Sequence, residues 1–296
     1  MIVIRSEFDG FCAGIRRAVS ICAGLRNESD GCRRIRLSHL ICHNREVNER
    51  LGIKVVADAD FVGNGMETGL TVVIGAHGVG KGFSEKCAGI RNLKMVSAVC
   101  PVVDRNLNEI KRLAALDKLD RLLVYLGKNG HAEADAAREW MPDGSFFIAC
   151  AEDAKRLADS GELNGAKVEL MVQTSFSDAV FDAVCAVFRR AGVAFEVFDS
   201  ICSDCMNRRK DAVRIAEECD AVVIVGDGIS SNAVELAEIV RRHGKSAFVA
   251  MNASEMDVIL DSGVVNGRAR VGLISSASSS KEIFEEVLAR LEAWYG

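Results

Sequence analysis

The chain has 296 residues, 49% of them hydrophobic and 27% charged, which gives a globular composition with room for two or three domains of ordinary size. A formal net charge of −5 argues against a general electrostatic attraction to nucleic acid or to anionic membranes. Apolar runs such as AVVIVG at 221–226 are far too short to cross a bilayer, and MIVIRSEFDG at the start lacks the basic and long apolar regions of an export signal, so a cytoplasmic protein is expected.

Short apolar runs alternate with amphipathic helical patterns along the chain. In chain order, six runs end in polar residues: RIRLSHLICHN at 34–44, VVIGAHGVG at 72–80, LLVYLGKNGHAEAD at 122–135, KVELMVQTSFSD at 167–178, AVVIVGDGISSN at 221–232 and RVGLISSASSS at 270–280. The segment NAVELAEIVRRHG at 232–244 repeats its apolar residues at helical spacing and stops at a glycine. Strands alternating with helices predict parallel sheets in α/β layers. The six strand ends fall into three consecutive pairs, which predicts three similar small α/β domains. Ligands of open parallel sheets bind outside the carboxyl ends of the strands, so the polar ends predict one shared pocket.

The stretch TVVIGAHGVGKGFSEK at 71–86 nearly matches a phosphate-binding loop, but Gly82 stands where a magnesium-holding hydroxyl belongs. Two readings follow: a nucleotide-binding protein using residues 75–82, or a loop built around His77. His39, His77 and His131 all follow strands, whereas His43 and His243 do not obviously belong with them. Together with Ser230, Ser231, Asn232 and Ser278 these histidines offer the donors that suit a phosphate or diphosphate. Glu133, two residues after His131, reads either as a proton carrier at the mouth of a pocket or as an ordinary carboxylate favoured by a helix start.

Eleven cysteines, an odd count in a large chain without an export signal, do not suit a disulfide framework. Cys22, Cys87, Cys150, Cys185 and Cys219 lie in or beside apolar patterns and are expected to pack as small hydrophobes. Cys12 in DGFCAGIRRAV, Cys100 in SAVCPVVDRN and Cys202 in DSICSDCMNRR each stand at an expected helix start, where amides and the helix dipole favour a thiolate. They recur about once per α/β unit. Three thiolates are one short of the usual iron–sulfur set, so they would leave one metal position open for chemistry. Cys202 and Cys205 also form a lone C-x-x-C, which admits a redox pair or half a zinc site.

With the pieces GFCAGIRRAV, HNREV, GAHGV, CPVV, GHAEAD, QTSFS, ISSNAVELA and SSASS in this order, the sequence resembles the 4-hydroxy-3-methylbut-2-enyl diphosphate reductase family of the non-mevalonate isoprenoid pathway, over almost the whole chain. The resemblance implies a trefoil of three similar α/β domains with mainly parallel sheets around a central 4Fe–4S cluster. Its divisions would be 13–99, 100–199, and 1–12 with 200–296. It implies Cys12, Cys100 and Cys202 as the cluster ligands, with one open iron site. His39, His77 and His131 match pocket histidines; Ser230, Asn232 and Ser278, with Ser231 beside them, match diphosphate contacts. Thr174 matches a threonine near the substrate hydroxyl, and Glu133 the proton-supplying acid. The implied reaction is a reductive dehydroxylation of an allylic diphosphate to isopentenyl and dimethylallyl diphosphate, with a ferredoxin or flavodoxin as electron donor. The chain departs from the family's pattern at Ala132, where a proline is usual, in SAVCP before the second ligand, in CSDCMN after the third, and at Ser175. Competing readings are a quinolinate-synthase-like iron–sulfur enzyme and a non-catalytic iron–sulfur sensor descended from the reductase.

Overall fold

A computed structural model of the chain describes residues 2–28, 34–56, 70–116, 121–263, 267 and 269–295. In chain order these hold β1 (Ile2–Arg5), α1 (Ala13–Glu28), β2 (Ile35–Leu37), α2 (Arg45–Leu51), β3 (Thr71–Ile74), α3 (Lys81–Ala88) and β4 (Lys94–Ser97). Next come α4 (Pro101–Ala114), β5 (Leu122–Leu126), α5 (Ala132–Trp140), β6 (Phe146–Ile148), α6 (Ala151–Asp159), β7 (Lys167–Val172), α7 (Asp178–Arg190) and β8 (Ala194–Val197). The last are α8 (Ser203–Glu218), β9 (Ala221–Val225), α9 (Ser231–Arg242), β10 (Ser246–Ala250), α10 (Ala253–Asp261), β11 (Arg270–Ser275) and α11 (Lys281–Tyr295).

The strands form three sheets in the orders β1-β11-β9-β10, β2-β3-β4 and β6-β5-β7-β8, and every pairing between named strands is parallel. The α/β class and the parallel sheets expected from the alternating pattern are therefore present. The three expected pairs of strand ends belong to adjacent strands: β2 with β3, β5 with β7, β9 with β11.

The chain divides into two compact units. The first comprises Met1–Cys32, Leu40–Lys54 and Ser203–Gly296 and contains the sheet centred on β9; the second comprises Arg33–His39 and Val55–Cys202 and contains the other two sheets. In the first, β9 is buried along its whole length, since a central parallel strand is covered on both faces. Ile215 and Ala216 of α8 and Leu236 and Val240 of α9 pack with Ile224 and Ile274. In the second, Val124, Leu170 and Val172 pack against Val184 and Phe188 of α7, while Val103, Leu107 and Ile110 of α4 pack with Tyr125 and Met171.

Each sheet hands the chain on in the same way. An edge strand (β1, β4 or β8) leads to Cys12, Cys100 or Cys202, and a helix of 14 or 16 residues starts at the next position. The three cysteines thus stand at helix starts, as their glycine- and proline-punctuated contexts predict. The packing cysteines Cys22, Cys87, Cys185 and Cys219 are buried, and burial pushes the Cys22 thiol up to about 11. Cys150 differs: it is half-buried at the N-cap of α6, because the strand before it ends at Ile148.

Candidate functional site

In the sheet β6-β5-β7-β8, the chain leaves β5 to one side for β6 and to the other for β7. This reversal opens a crevice at the carboxyl ends of β5 and β7, where open α/β sheets bind ligands. Gly127 follows β5, and a Cβ there would lie 2.9 Å from Ala134 Cβ and 2.8 Å from Tyr125 Cε1, so only glycine lets α5 approach the strand. His131 is the N-cap of α5, its Nδ1 accepting the Glu133 N–H at 3.2 Å, which leaves Nε2 as the ring's donor. Glu133 is 2% exposed, and its two oxygens accept the Thr174 N–H at 2.7 Å and the Thr174 O–H at 2.6 Å.

Burial pushes the Glu133 carboxyl up to about 7; the Thr174 bonds oppose this and the nearby Cys202 adds to it. An ordinary carboxylate in the first turn of a helix would be solvated and shifted downward by the dipole. Glu133 is instead buried and shifted upward, with burial as the largest cause.

The remaining candidates of this unit surround the same place. The His77 ring lies 5.3 Å from that of His131 in an edge-on arrangement and 5.7 Å from that of His39. Ser38 Oγ accepts the Gly75 N–H at 3.1 Å and meets His39 Nδ1 at 2.9 Å, while a Cβ on Gly75 would come within 2.7 Å of His39 Nε2. Cys202 N–H donates to Thr174 O at 3.0 Å, and Cys100 N–H to Ala76 O at 3.0 Å. Burial raises the Cys100 thiol more than the Val102 and Val103 amides lower it, and the charges of Cys202 and Glu133 raise it further. The expectation that a helix start would favour the thiolate is thus overridden at Cys100 by desolvation. The charges of Cys202 and Glu133 thus oppose ionisation of Cys100, whereas a coordinated metal deprotonates a thiol outright. In the other unit Cys12 shows matching chemistry: Ile15 N–H points at its Sγ at 3.4 Å. By chemistry alone, the helix-start thiols, Cys12 in one unit and Cys100 and Cys202 in the other, are the donor type that a thiolate-bound metal group takes.

The stretch 71–86 does not cradle a nucleotide. Gly78 has φ +75°, and a Cβ there would meet Leu107 Cδ1 at 2.4 Å. Gly82 N–H donates to Glu139 Oε2 at 2.9 Å, and Trp140 Nε1 donates to Val79 O at 2.9 Å. The start of α3 is occupied by a carboxylate of the protein itself, so the glycines serve packing against α4 and α5.

The first unit repeats the crevice with different side chains. In β1-β11-β9-β10 the chain leaves β9 to opposite sides for β10 and β11. Gly226 follows β9, and a Cβ there would lie 2.9 Å from Ala233 Cβ and 2.7 Å from Ser276 Oγ. Ser230, 3% exposed, is the N-cap of α9 and lies 3.4 Å from Ser278 Oγ. Asn232 Oδ1 accepts the Ala277 N–H at 2.8 Å, and this holds its amide in one orientation. Asn232 Nδ2 and Ser231 Oγ are buried with no partner among the described residues. Buried polar atoms are nearly always satisfied, so these two donors await an acceptor.

Sequence reasoning missed the groups that hold this wall. Asn44, the N-cap of α2, donates to Ser279 Oγ at 3.2 Å, and Ser278 Oγ donates to His43 O at 3.3 Å. Arg45 binds the wholly buried Asp227 through Nε at 2.8 Å and Nη2 at 3.0 Å. Burial alone would raise the Asp227 carboxyl, but the Arg45 bonds outweigh it and hold the group below its ordinary value. The N-cap pattern of Asn44 was readable in HNREV; the Arg45–Asp227 pair, far apart in sequence, was not. His243 caps the end of α9 through Nδ1 and Ile239 O at 2.8 Å. Cys205 is buried in the first turn of α8, and no helix among the described residues is long and apolar enough to cross a membrane.

The sequence model of a family described as LytB protein matches residues 3–292. The 4-hydroxy-3-methylbut-2-enyl diphosphate reductase of Neisseria gonorrhoeae is 30% identical over 99% of this chain and 87% of its own length. That of Methylococcus capsulatus is 30% identical over 100% of this chain and 92% of its own. Among solved structures, the E-1-hydroxy-2-methyl-but-2-enyl-4-diphosphate reductase of Plasmodium falciparum superposes with a TM-score of 0.84 at 21% identity, over 97% of this chain and 87% of that one, and so shares the fold. With a sequence match over nearly its full length and relatives alike from end to end, the chain belongs to the LytB family.

Proposed function

We propose that this chain is a 4-hydroxy-3-methylbut-2-enyl diphosphate reductase. The substrate takes up two electrons and two protons, its C–O bond breaks, water leaves, and isopentenyl or dimethylallyl diphosphate forms. Cys12, Cys100 and Cys202 would hold an iron–sulfur cluster, read as 4Fe–4S with one open iron, and when bound it would supply electrons and Lewis acidity toward the leaving oxygen. A ferredoxin or flavodoxin in the cytoplasm delivers the electrons. The divisions 13–99, 100–199, and 1–12 with 200–296 are the reading's three domains, one sheet to each.

The observation that carries this reading is the buried Glu133–Thr174 pair. When Glu133 is protonated, its O–H donates to Thr174 Oγ, and the Thr174 hydroxyl turns its own proton outward toward the leaving oxygen. An acid near pKa 7 is both loaded and able to give up its proton at neutral pH. His131, fixed by the Glu133 N–H, presents Nε2–H as a second donor. Ser231 Oγ and Asn232 Nδ2 supply the diphosphate with donors that need no rearrangement, joined by Ser230, Ser278, His39 and His77. Holding the diphosphate positions the carbon chain for reaction.

The test is anaerobic reconstitution of the full chain with iron and sulfide, followed by 4-hydroxy-3-methylbut-2-enyl diphosphate and a chemical reductant. Formation of isopentenyl and dimethylallyl diphosphate is expected. A fully loaded cluster that yields neither product overturns the proposal and leaves a sensor or a quinolinate-synthase-like activity to be tried.

A further inference from the structure

The loop that carries Cys12 is held from an unexpected direction. α8 begins one residue after Cys202, and Arg208 in its second turn is only 2% exposed. Its guanidinium makes three directed bonds: Nε to Asp204 Oδ2 at 2.7 Å, Nη1 to Ser275 O at 2.8 Å and Nη2 to Gly10 O at 2.8 Å. The Phe8 ring covers it at 5.0 Å from Cζ. One buried cation therefore ties the loop before Cys12 to the end of β11, where the serine-rich segment starts.

The rest of α8 and the start of α11 continue the clamp. Asp211 accepts the Ser6 hydroxyl at 2.5 Å and the Glu7 N–H at 3.2 Å. Lys281 pairs with Asp9 at 2.7 Å, a Cβ on Gly10 would sit 3.1 Å from Lys281 N, and Cys12 N–H donates to Ala277 O at 3.0 Å. Residues 6–12 are thus fixed almost residue by residue, which is far more than a surface loop requires. Burying a guanidinium is costly unless its donors are matched, and the planar fork of Arg208 meets its three acceptors in separate directions.

We propose that Arg208 is the positioning residue for Cys12: by holding Gly10 and Phe8 to the end of β11, it presets the Cys12 sulfur as a metal ligand. This rests on the cluster reading above. Lysine cannot replace it, because a single ammonium lacks the planar fork that reaches Asp204, Ser275 and Gly10 in separate directions. Groups that orient a metal's ligands typically contribute 10- to 100-fold in metal retention.

The experiment compares iron release to a chelator from anaerobically reconstituted wild type, Arg208→Lys, Arg208→Gln and Phe8→Leu, alongside the electron paramagnetic resonance spectrum of the reduced cluster. Leu291→Ala, a buried change on α11, controls for lost stability. Release should accelerate by about 10-fold or more in Arg208→Gln, less in Arg208→Lys, and about 2- to 5-fold in Phe8→Leu, where only the ring over the cation is lost. The spectrum should broaden in the Arg208 variants and stay native in Leu291→Ala. Should the Arg208 variants fail to fold, the Phe8→Leu rate decides alone. Release within twofold of wild type in the folded variants, or equal acceleration in Leu291→Ala, overturns the proposal. A wild type that takes up no cluster overturns the functional reading together with it.

Discussion

The crevices beside β5 and β9 are built alike and equipped differently. Each follows a buried central strand whose neighbours lie on opposite sides. Each begins with a glycine, Gly127 or Gly226, that an alanine seven residues later crowds to 2.9 Å. Beside β5 the next side chains are His131 and Glu133, a buried acid raised to about 7 and bonded to Thr174. Beside β9 they are Asp227, neutralised by Arg45, and then the hydroxyl and amide wall of Ser230, Ser231, Asn232 and Ser278. The backbone supplies a place at the strand ends, and the side chains divide the work. On the proposed reading, one crevice would handle protons and the other would hold an anion.

Four tests would break or sharpen that division, from the largest effect to the smallest. Glu133→Gln should keep the bond from the Thr174 N–H and retain iron, yet lose turnover by about 10²- to 10⁴-fold, the usual share of a general acid; undiminished turnover would remove Glu133 from the chemistry. Asn232→Asp puts a negative charge where an anion is expected. It should weaken inorganic diphosphate binding by about 10-fold or more, measured by calorimetry, while iron content stays that of wild type.

The third test uses pH. Glu133 has its folded value raised from 4.5 to about 7, so the folded chain binds that proton more tightly than the unfolded one. Its contribution to stability is full below pH 4.5 and is lost as pH rises to about 7, a loss on the order of 3 kcal/mol. Asp227, lowered from 3.8, behaves oppositely: its stability is present above that value and is lost as pH falls through the folded value. Urea unfolding of the apoprotein at pH 5 and 7.5 should show the first slope in wild type and not in Glu133→Gln. A slope unchanged by that substitution would put the buried acid elsewhere.

The smallest effect concerns Ala132, the position where the family's pattern has proline. Ala132 is the first residue of α5, where no helical donor is lost, and His131 before it has φ −93° and ψ 127°, the extended conformation a following proline demands. Ala132→Pro should therefore raise stability by about 0.4–1 kcal/mol in thermal unfolding and leave turnover unchanged. A loss of stability would mean that this loop differs from the family's.

Much of this was legible in the sequence because the central strands are continuous apolar runs with polar ends. LLVYL, AVVIV and RVGLIS announce themselves. The edge strands do not: KMVS of β4 and AFEV of β8 are largely exposed and pair on one side, so their composition is ordinary. The three helix-start cysteines were readable from their glycine and proline neighbours. That Glu133 is buried was not, since its local sequence is that of any first helical turn; tertiary burial alone separates the two readings. The two readings of the near-match to a phosphate loop could not be separated locally for the same reason, because Glu139, far along the chain, meets the Gly82 N–H at the start of α3. Arg208 lies among several charges in a polar helix, and only its three acceptors, distant in sequence or set by the fold, distinguish it.

The most direct measurement of the division is the pair of steady-state constants, kcat and KM for 4-hydroxy-3-methylbut-2-enyl diphosphate, in cluster-loaded Glu133→Gln and Asn232→Ala. The account predicts a collapse of kcat with KM near wild type in the first, and a KM raised about 10-fold with kcat largely kept in the second. The reverse pattern, or a fall in kcat alone in both, would contradict it.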